Sequence, residues 1–263
     1  FIADELLKSN SGLKNYVVAN PQVPQYDNNS LNANYQAQSF TPPAGTSSIF
    51  STAGDWKPTV FGSIDGYEYL NNMYFCLQGG GDNSFHMAVG TNSGATRAQQ
   101  AGGIEQGSDG IAMFYREVPA SANFTLSADI TINAYNASVL NSFGLMVRDD
   151  IYLDTVVNDT LGDYVAAGQL QLSSASPWNC FARKNGQLIS GGNASRIYKA
   201  GETVHVEIRK GPDGYTCVFG DNAPVSAGFD FPLTAVDSDR VYVGMFVARS
   251  ADVTFRNVNL IYQ

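Results

Sequence analysis

Along 124–132, apolar side chains fall at every second position: Phe124, Leu126, Ala128, Ile130 and Ile132 alternate with polar residues. A period of two belongs to an extended strand with one buried face. The stretch 203–209 repeats it, with Val204, Val206 and Ile208 on one side and His205, Glu207 and Arg209 on the other. At 241–248 both faces are apolar, which predicts a central strand covered on both sides. Further strands are predicted at 69–78, 111–118, 143–148, 164–172, 180–184, 215–219 and 253–262, separated by the turn signals SDG, KNG, GPDG, GDNA and SDR. Strands at this spacing without a long helical period predict an all-β chain, closed as a two-sheet antiparallel β-sandwich. Phe124, Leu126, Ile130, Val204, Val206, Ile208, Val243 and Met245 should share its core.

Residues 1–45 break the pattern. A short helix is predicted over 2–7, with Asp4 and Glu5 in its first turn. The Pro- and Asn-rich stretches NPQVP, DNNSLNANYQAQ and TPPAG then follow without any period. Residues 1–45 are therefore read as an irregular N-terminal arm or linker, and 46–263 as the folded domain. Trp56 opens that body and is expected in its core.

Composition narrows the class. Only 15% of the 263 residues are charged, and 26 Gly and 10 Pro supply many turns, as on a secreted β protein. A net charge of -9 argues against nucleic acid or an anionic membrane as partner, because phosphate binding needs clustered Lys and Arg. No apolar run approaches a membrane span. Cys76, Cys180 and Cys217 lack CxxC spacing and lie in apolar, strand-like stretches, so they read as buried thiols, with one disulfide plus one thiol as the alternative.

Catalytic chemistry has little to stand on. Glycoside cleavage needs two carboxylates facing each other across a cleft. Glu105, Asp109, Glu117, Asp149 and Asp150 are available, but no E-x-D-x-x-E arrangement places a pair on one strand. The HVEIR trio of His205, Glu207 and Arg209 reads as a solvated outer face. A metal-free lyase would need a base beside an Arg, for which Arg148, Tyr164 and Arg183 could serve. His86 reads as a packed histidine. No GxSxG, HExxH or phosphate-binding glycine loop occurs.

Sugar chemistry fits the residue types better. Sugars offer apolar C–H faces and rings of hydroxyls, which aromatic platforms and planar amide or guanidinium groups complement. Gln169 and Gln171 alternate with Leu170 and Leu172, so both amides should project from one sheet face. Arg148 closes FGLMVRDD beside two acids that would orient its fork. Trp178, in the loop SSASPWN, is either a stacking platform or packed. These with Tyr164 and Arg183 form one candidate ligand surface, because successive antiparallel strands usually pair. Tyr67, Tyr69 and the loop 79–81 are the fallback. Asp149, Asp150, Asp154, Asp159 and Asp163 crowd one loop, and Asp252 lies in the final turn. Asp149, Asp150, Asp163 and Asp252 are the candidate ligands of a structural Ca²⁺, with a solvated acidic loop as the alternative.

One stretch carries a family resemblance. DGIAMFYREVPASANFTLSADITINAY, then FGLMVRDD and YVAAG, is similar to the jelly-roll, concanavalin-like accessory domains of secreted bacterial polysaccharide-degrading proteins. The closing VTFRNVNLIY resembles the last strand of such sandwiches. The acidic insertion DDIYLDTVVNDTLGD, and Asp163 before Tyr164, depart from that pattern. The resemblance implies a jelly roll attached to further domains, secreted or at the cell surface. It further implies non-catalytic binding of a polysaccharide of starch, pectin or fructan type. The alternative is a polysaccharide lyase or glycoside hydrolase on the same fold.

Overall fold

A computed structural model describes residues 55–62, 74–78, 84–89, 103–104, 109–135, 141–151, 162–172, 177–193, 198–249 and 251–263. The proposed arm at 1–45, the start of the predicted strand at 69–78, the fallback residues Tyr67 and Tyr69 with the loop 79–81, and Asp154 and Asp159 lie outside them.

The strands among the described residues are β1 (Lys57–Gly62), β2 (Tyr74–Gln78), β3 (Phe85–Val89), β4 (Gly103–Ile104), β5 (Asp109–Pro119), β6 (Phe124–Tyr135) and β7 (Ser142–Arg148). They continue with β8 (Tyr164–Leu170), β9 (Trp178–Lys184), β10 (Gln187–Asn193), β11 (Thr203–Gly211), β12 (Gly214–Phe219), β13 (Arg240–Ala248) and β14 (Ala251–Tyr262). Two antiparallel sheets result. The larger runs β1-β5-β13-β7-β8-β9-β10, with β4 paired to β5, and the smaller runs β12-β11-β6-β14-β3-β2. No helix occurs among the described residues.

Alternation builds the core as the sequence dictates. Leu126, Ala128 and Ile130 of β6, Val204, Val206 and Ile208 of β11, and Val243, Met245 and Val247 of β13 fill one cluster between the sheets. Phe124 and Trp56 belong to it too, so all eight residues expected in one core are there. On β11 the polar residues face outward: His205 sits between Asp129 and Glu207, and Arg209 pairs with Glu207. His86 is half-buried and bonded to Asp252 at 2.5 Å on the smaller sheet, so it is packed and paired.

The larger sheet buries its second face as well. Met113 and Tyr115 of β5, Tyr242 and Phe246 of β13, Met146 of β7 and Phe181 of β9 form a separate apolar cluster there. This is why β13 reads as apolar on both sides. Gly144 and Gly168 are cross-strand partners, and each lies so close to the opposite backbone that a Cβ would collide with a carbonyl. They keep the floor of this face low beside Phe246 and Phe181, whose ring centroids are 6.5 Å apart.

Cys180 and Cys217 are free and buried between the sheets, on β9 and β12. Burial pushes the Cys217 thiol up, with Cys180 beside it. Neither should react with a thiol reagent in the native protein, and both should react on unfolding, since the thiolate is the nucleophile. Peptide mapping after timed alkylation checks this; rapid native labelling of either would contradict the packing.

Candidate functional site

Strand register sets one row of side chains across the second face of the larger sheet. Glu117 of β5 lies opposite Tyr242 of β13, and Tyr242 lies opposite Arg148 of β7. Arg148 lies opposite Tyr164 of β8, and Tyr164 opposite Arg183 of β9. Three of the predicted ligand residues thus occupy neighbouring positions of one row. All three are withdrawn from water: Arg148, Tyr164 and Arg183 are 0% exposed.

Two buried guanidiniums need a carboxylate, because an ion moved out of water without a partner loses several kcal/mol. Asp109 supplies it. Arg183 grips it with two nitrogens at 2.5 and 2.7 Å, and Arg148 Nη2 approaches at 3.0 Å. Asp109 opens β5 a strand's length away from Glu117, the β5 member of the row. The start of β5 must therefore curl over the face and not continue in its plane. Burial alone would raise the Asp109 carboxyl; Arg183 and Arg148 outweigh it and hold the group below the usual carboxylate range. Arg148 Nε also donates to the carbonyl of Asp150 at 2.8 Å, which anchors the chain leaving β7.

Tyr164 is clasped between the two arginines, whose guanidinium carbons lie 5.1 and 5.0 Å from its ring centroid. Desolvation raises its phenol well above the ordinary value despite Arg183 and Arg148. A phenol held neutral in this way is a poor proton-abstracting base. Its hydroxyl has no hydrogen-bond partner, and neither do Ser142 Oγ on β7 and Asn179 Oδ1 on β9. Three neighbouring strands therefore each carry a buried polar atom without a mate. Native structures leave few such atoms, so each calls for an explanation such as a bound group.

The other predicted ligand residues separate from the row. Gln169 shares the inward parity of Val165 and Ala167, and its Oε1 accepts from the Tyr198 amide at 3.2 Å. The register with β9 shifts between Ala167 and Leu170, and Gln171 lies beyond the end of β8. Gln169 thus faces the space between the sheets and not the row of Arg148 and Tyr164. Trp178 is the first residue of β9 and not a loop residue; it is half-buried against the apolar cluster of the second face.

The acidic candidates do not converge either. Asp163 uses its carboxylate on the amides of Asn185 and Gly186, at 3.0 and 3.5 Å. Asp252 lies on the smaller sheet, bonded to His86 and Asn133. Asp150 contributes its carbonyl to Arg148. Among the described residues, no group of three or more His, Cys, Asp or Glu is placed to hold a metal ion. As one set, these four carboxylates do not fit the oxygen shell of a calcium ion.

Asp149 stands apart. It is 1% exposed, and neither carboxylate oxygen makes a well-formed hydrogen bond, the backbone of Asp163 being its nearest donor. Gly162 lies so close that a side chain there would collide with its Oδ1. Burial pushes the carboxyl up to about 7; Arg148 opposes the shift, while Asp163 and Asp150 add to it. Sequence reasoning had Asp109 only as one acid among several. The signal that identifies it is two arginines on mostly apolar strands flanking β8 in a charge-poor chain.

Comparison with known proteins follows this geometry. Residues 78–162 match the model of a family described as the pectate disaccharide-lyase N-terminal domain. Pectate lyase L of Thermoclostridium stercorarium is 25% identical over 210 residues, covering 80% of this chain and 15% of the relative. Pectate disaccharide-lyase of Dickeya chrysanthemi is 23% identical over 202 residues, covering 63% of this chain and 26% of the relative. The chain thus spans about a quarter or less of the curated relatives it matches. Among solved structures, the carbohydrate-binding module CBM66 from Bacillus subtilis aligns with a TM-score of 0.36 at 13% identity, covering 82% of this chain and 94% of that one. A beta-1,3-glucanase from Mycobacterium marinum aligns with a TM-score of 0.44 at 10% identity, covering 84% and 99%. The chain is an all-β sandwich similar to the accessory domains of polysaccharide-degrading proteins, and the stretch from the end of β2 to Gly162 matches the pectate disaccharide-lyase N-terminal domain.

Proposed function

We propose that this chain is a non-catalytic polysaccharide-binding domain of a larger secreted protein, and that its polysaccharide is pectic. The observation that carries the reading is the set of mateless buried polar atoms on β7, β8 and β9: Tyr164 stands in the arginine row, and Ser142 and Asn179 lie toward the other end of the strands, near half-buried Trp178. Hydroxyl-rich rings supply the hydrogen bonds such atoms lack, and an indole supplies a stacking surface. The names of the two relatives select pectate among the polysaccharides considered. Their small shared fraction favours a module over a whole enzyme. A lyase that used Tyr164 as its base would work against desolvation, which raises the phenol above its ordinary value.

Affinity gel electrophoresis against polygalacturonate, pectin, starch and levan tests this directly. The protein should be retarded by the pectic gels, without release of unsaturated or reducing ends. Truncating one stacking aromatic should remove on the order of 1–2 kcal/mol. Titration calorimetry of Trp178→Ala should therefore show about tenfold weaker binding, with the far-ultraviolet spectrum unchanged. No retardation in any gel would refute the reading, and unchanged affinity in Trp178→Ala would move the platform elsewhere.

A further inference from the structure

Two cysteines meet across the sandwich. Cys180 sits on β9 of the larger sheet, between Ala167 of β8 and Gly192 of β10. Cys217 sits on β12 of the smaller sheet, between Ile208 of β11 and Val225, with which it exchanges two backbone hydrogen bonds of 2.8 Å. Both side chains belong to the cluster between the sheets. The Cys217 thiol donates to the carbonyl of Ala166 at 3.7 Å, one residue from the cross-strand partner of Cys180. It is also in hydrogen-bond contact with Cys180 itself.

Facing sheets usually stand about 10 Å apart, too far for a disulfide, whose Cα atoms lie about 4.4–6.8 Å apart. This corner is narrower. Ala167 and Ala182 beside Cys180 fill little space, and Cα atoms of β9 and β12 come within 8 Å of one another. Strand pairing on both sides holds each cysteine where it stands. Topology leaves Cys76 out: it lies on β2, at the opposite edge of the smaller sheet from β12, five strand spacings or about 24 Å away. Its strand packs near β5, which β13, β7 and β8 separate from β9.

We infer that Cys180 and Cys217 form an inter-sheet disulfide when the chain folds with a disulfide oxidant present, either a small molecule such as oxidised glutathione or the disulfide of an oxidoreductase. One cysteine thiolate attacks the oxidant's S–S bond, forms a mixed disulfide and releases one reduced thiol. The second cysteine attacks the mixed disulfide and releases the other. The chain gives up two electrons and two protons, and the oxidant takes up both and ends as two thiols. Both sulfurs are buried in the finished fold, so the exchange belongs to folding, before the sheets close. A secreted chain, as proposed above, meets such oxidants; the dithiol is the form that reducing conditions keep. The bond staples β9, which carries Trp178 and Arg183, to the opposite sheet.

Refolding the chain from urea in mixed reduced and oxidised glutathione, and in parallel in dithiothreitol, tests this. Free thiols are then blocked in denaturant and the peptides mapped without reduction. The oxidised sample should yield one linked pair, the peptide of Cys180 with that of Cys217, while Cys76 is blocked. Its melting temperature should exceed that of the reduced sample by on the order of 10 °C, because a bond closing a loop of about 40 residues constrains the unfolded chain. In Cys180→Ala the two conditions should melt alike. Three blocked cysteines after oxidative refolding, or a link to Cys76, would overturn the pairing. A melting gap that persists in Cys180→Ala would overturn the staple as its cause. The peptide map of the unaltered chain decides the pairing even where that variant fails to fold.

Discussion

Asp109→Ala should destabilise this domain by about 3–5 kcal/mol, the usual result of removing one partner from a buried ion network. Arg148 and Arg183 would lose the carboxylate they share, at a position where neither is exposed to water. For a domain of this size the melting temperature should fall by on the order of 10 °C. The pH dependence adds a second signature. The folded Asp109 carboxyl titrates below its ordinary value, so its contribution is complete above the unfolded value of 3.8 and fades as pH falls through the folded one. Variant and wild type should therefore converge in strong acid. Thermal melts at neutral and acidic pH measure both effects; a loss below about 1 kcal/mol at neutral pH would show that the network contributes little.

Asp149→Asn should act in the opposite direction. The folded carboxyl titrates at about 7 against 3.8 when unfolded, so the folded state binds more protons between those values. Stability then falls as pH rises through this window, by on the order of 3–4 kcal/mol once complete. Below pH 3.8 both states are protonated and the group costs nothing. An amide cannot ionise, so the variant should match the wild type near pH 4 and exceed it at pH 8. Urea midpoints across that range, converted with a common slope, read the difference. Parallel pH profiles for the two proteins would show that Asp149 ionises in the fold as easily as in the unfolded chain.

These two acids show where sequence reasoning stops. Residues such as Leu126, Val206 and Met245 declare their burial through a period of two, and β13 through apolar residues on both faces, so the sandwich was legible. The meeting of Arg148, Tyr164 and Arg183 was legible too, because β7, β8 and β9 pair in chain order. Gln169 and Gln171 were not, because Gln169 takes the inward parity of β8 and meets the Tyr198 amide, and Gln171 lies past the strand's end. Asp109 was harder still. It lies 74 positions from Arg183, and only the curl of β5 brings them together. Asp149 and Asp163 look alike in an acidic stretch; the backbone amides that meet one and miss the other belong to a distant hairpin.

The positions of β13 and β14 bear on the order in which the chain can assemble. β13 lies between β5 and β7, and β14 between β6 and β3, so each sheet has a late strand at its centre. Until residues 240–262 leave the ribosome, β5 and β7 have no bridge, and β3 has no link to β6. Pairing that waits on such distant partners is slow and leaves unpaired edges open meanwhile. Neither sheet can therefore be completed before its last-made strand is present, and the hairpins made earlier wait with open edges.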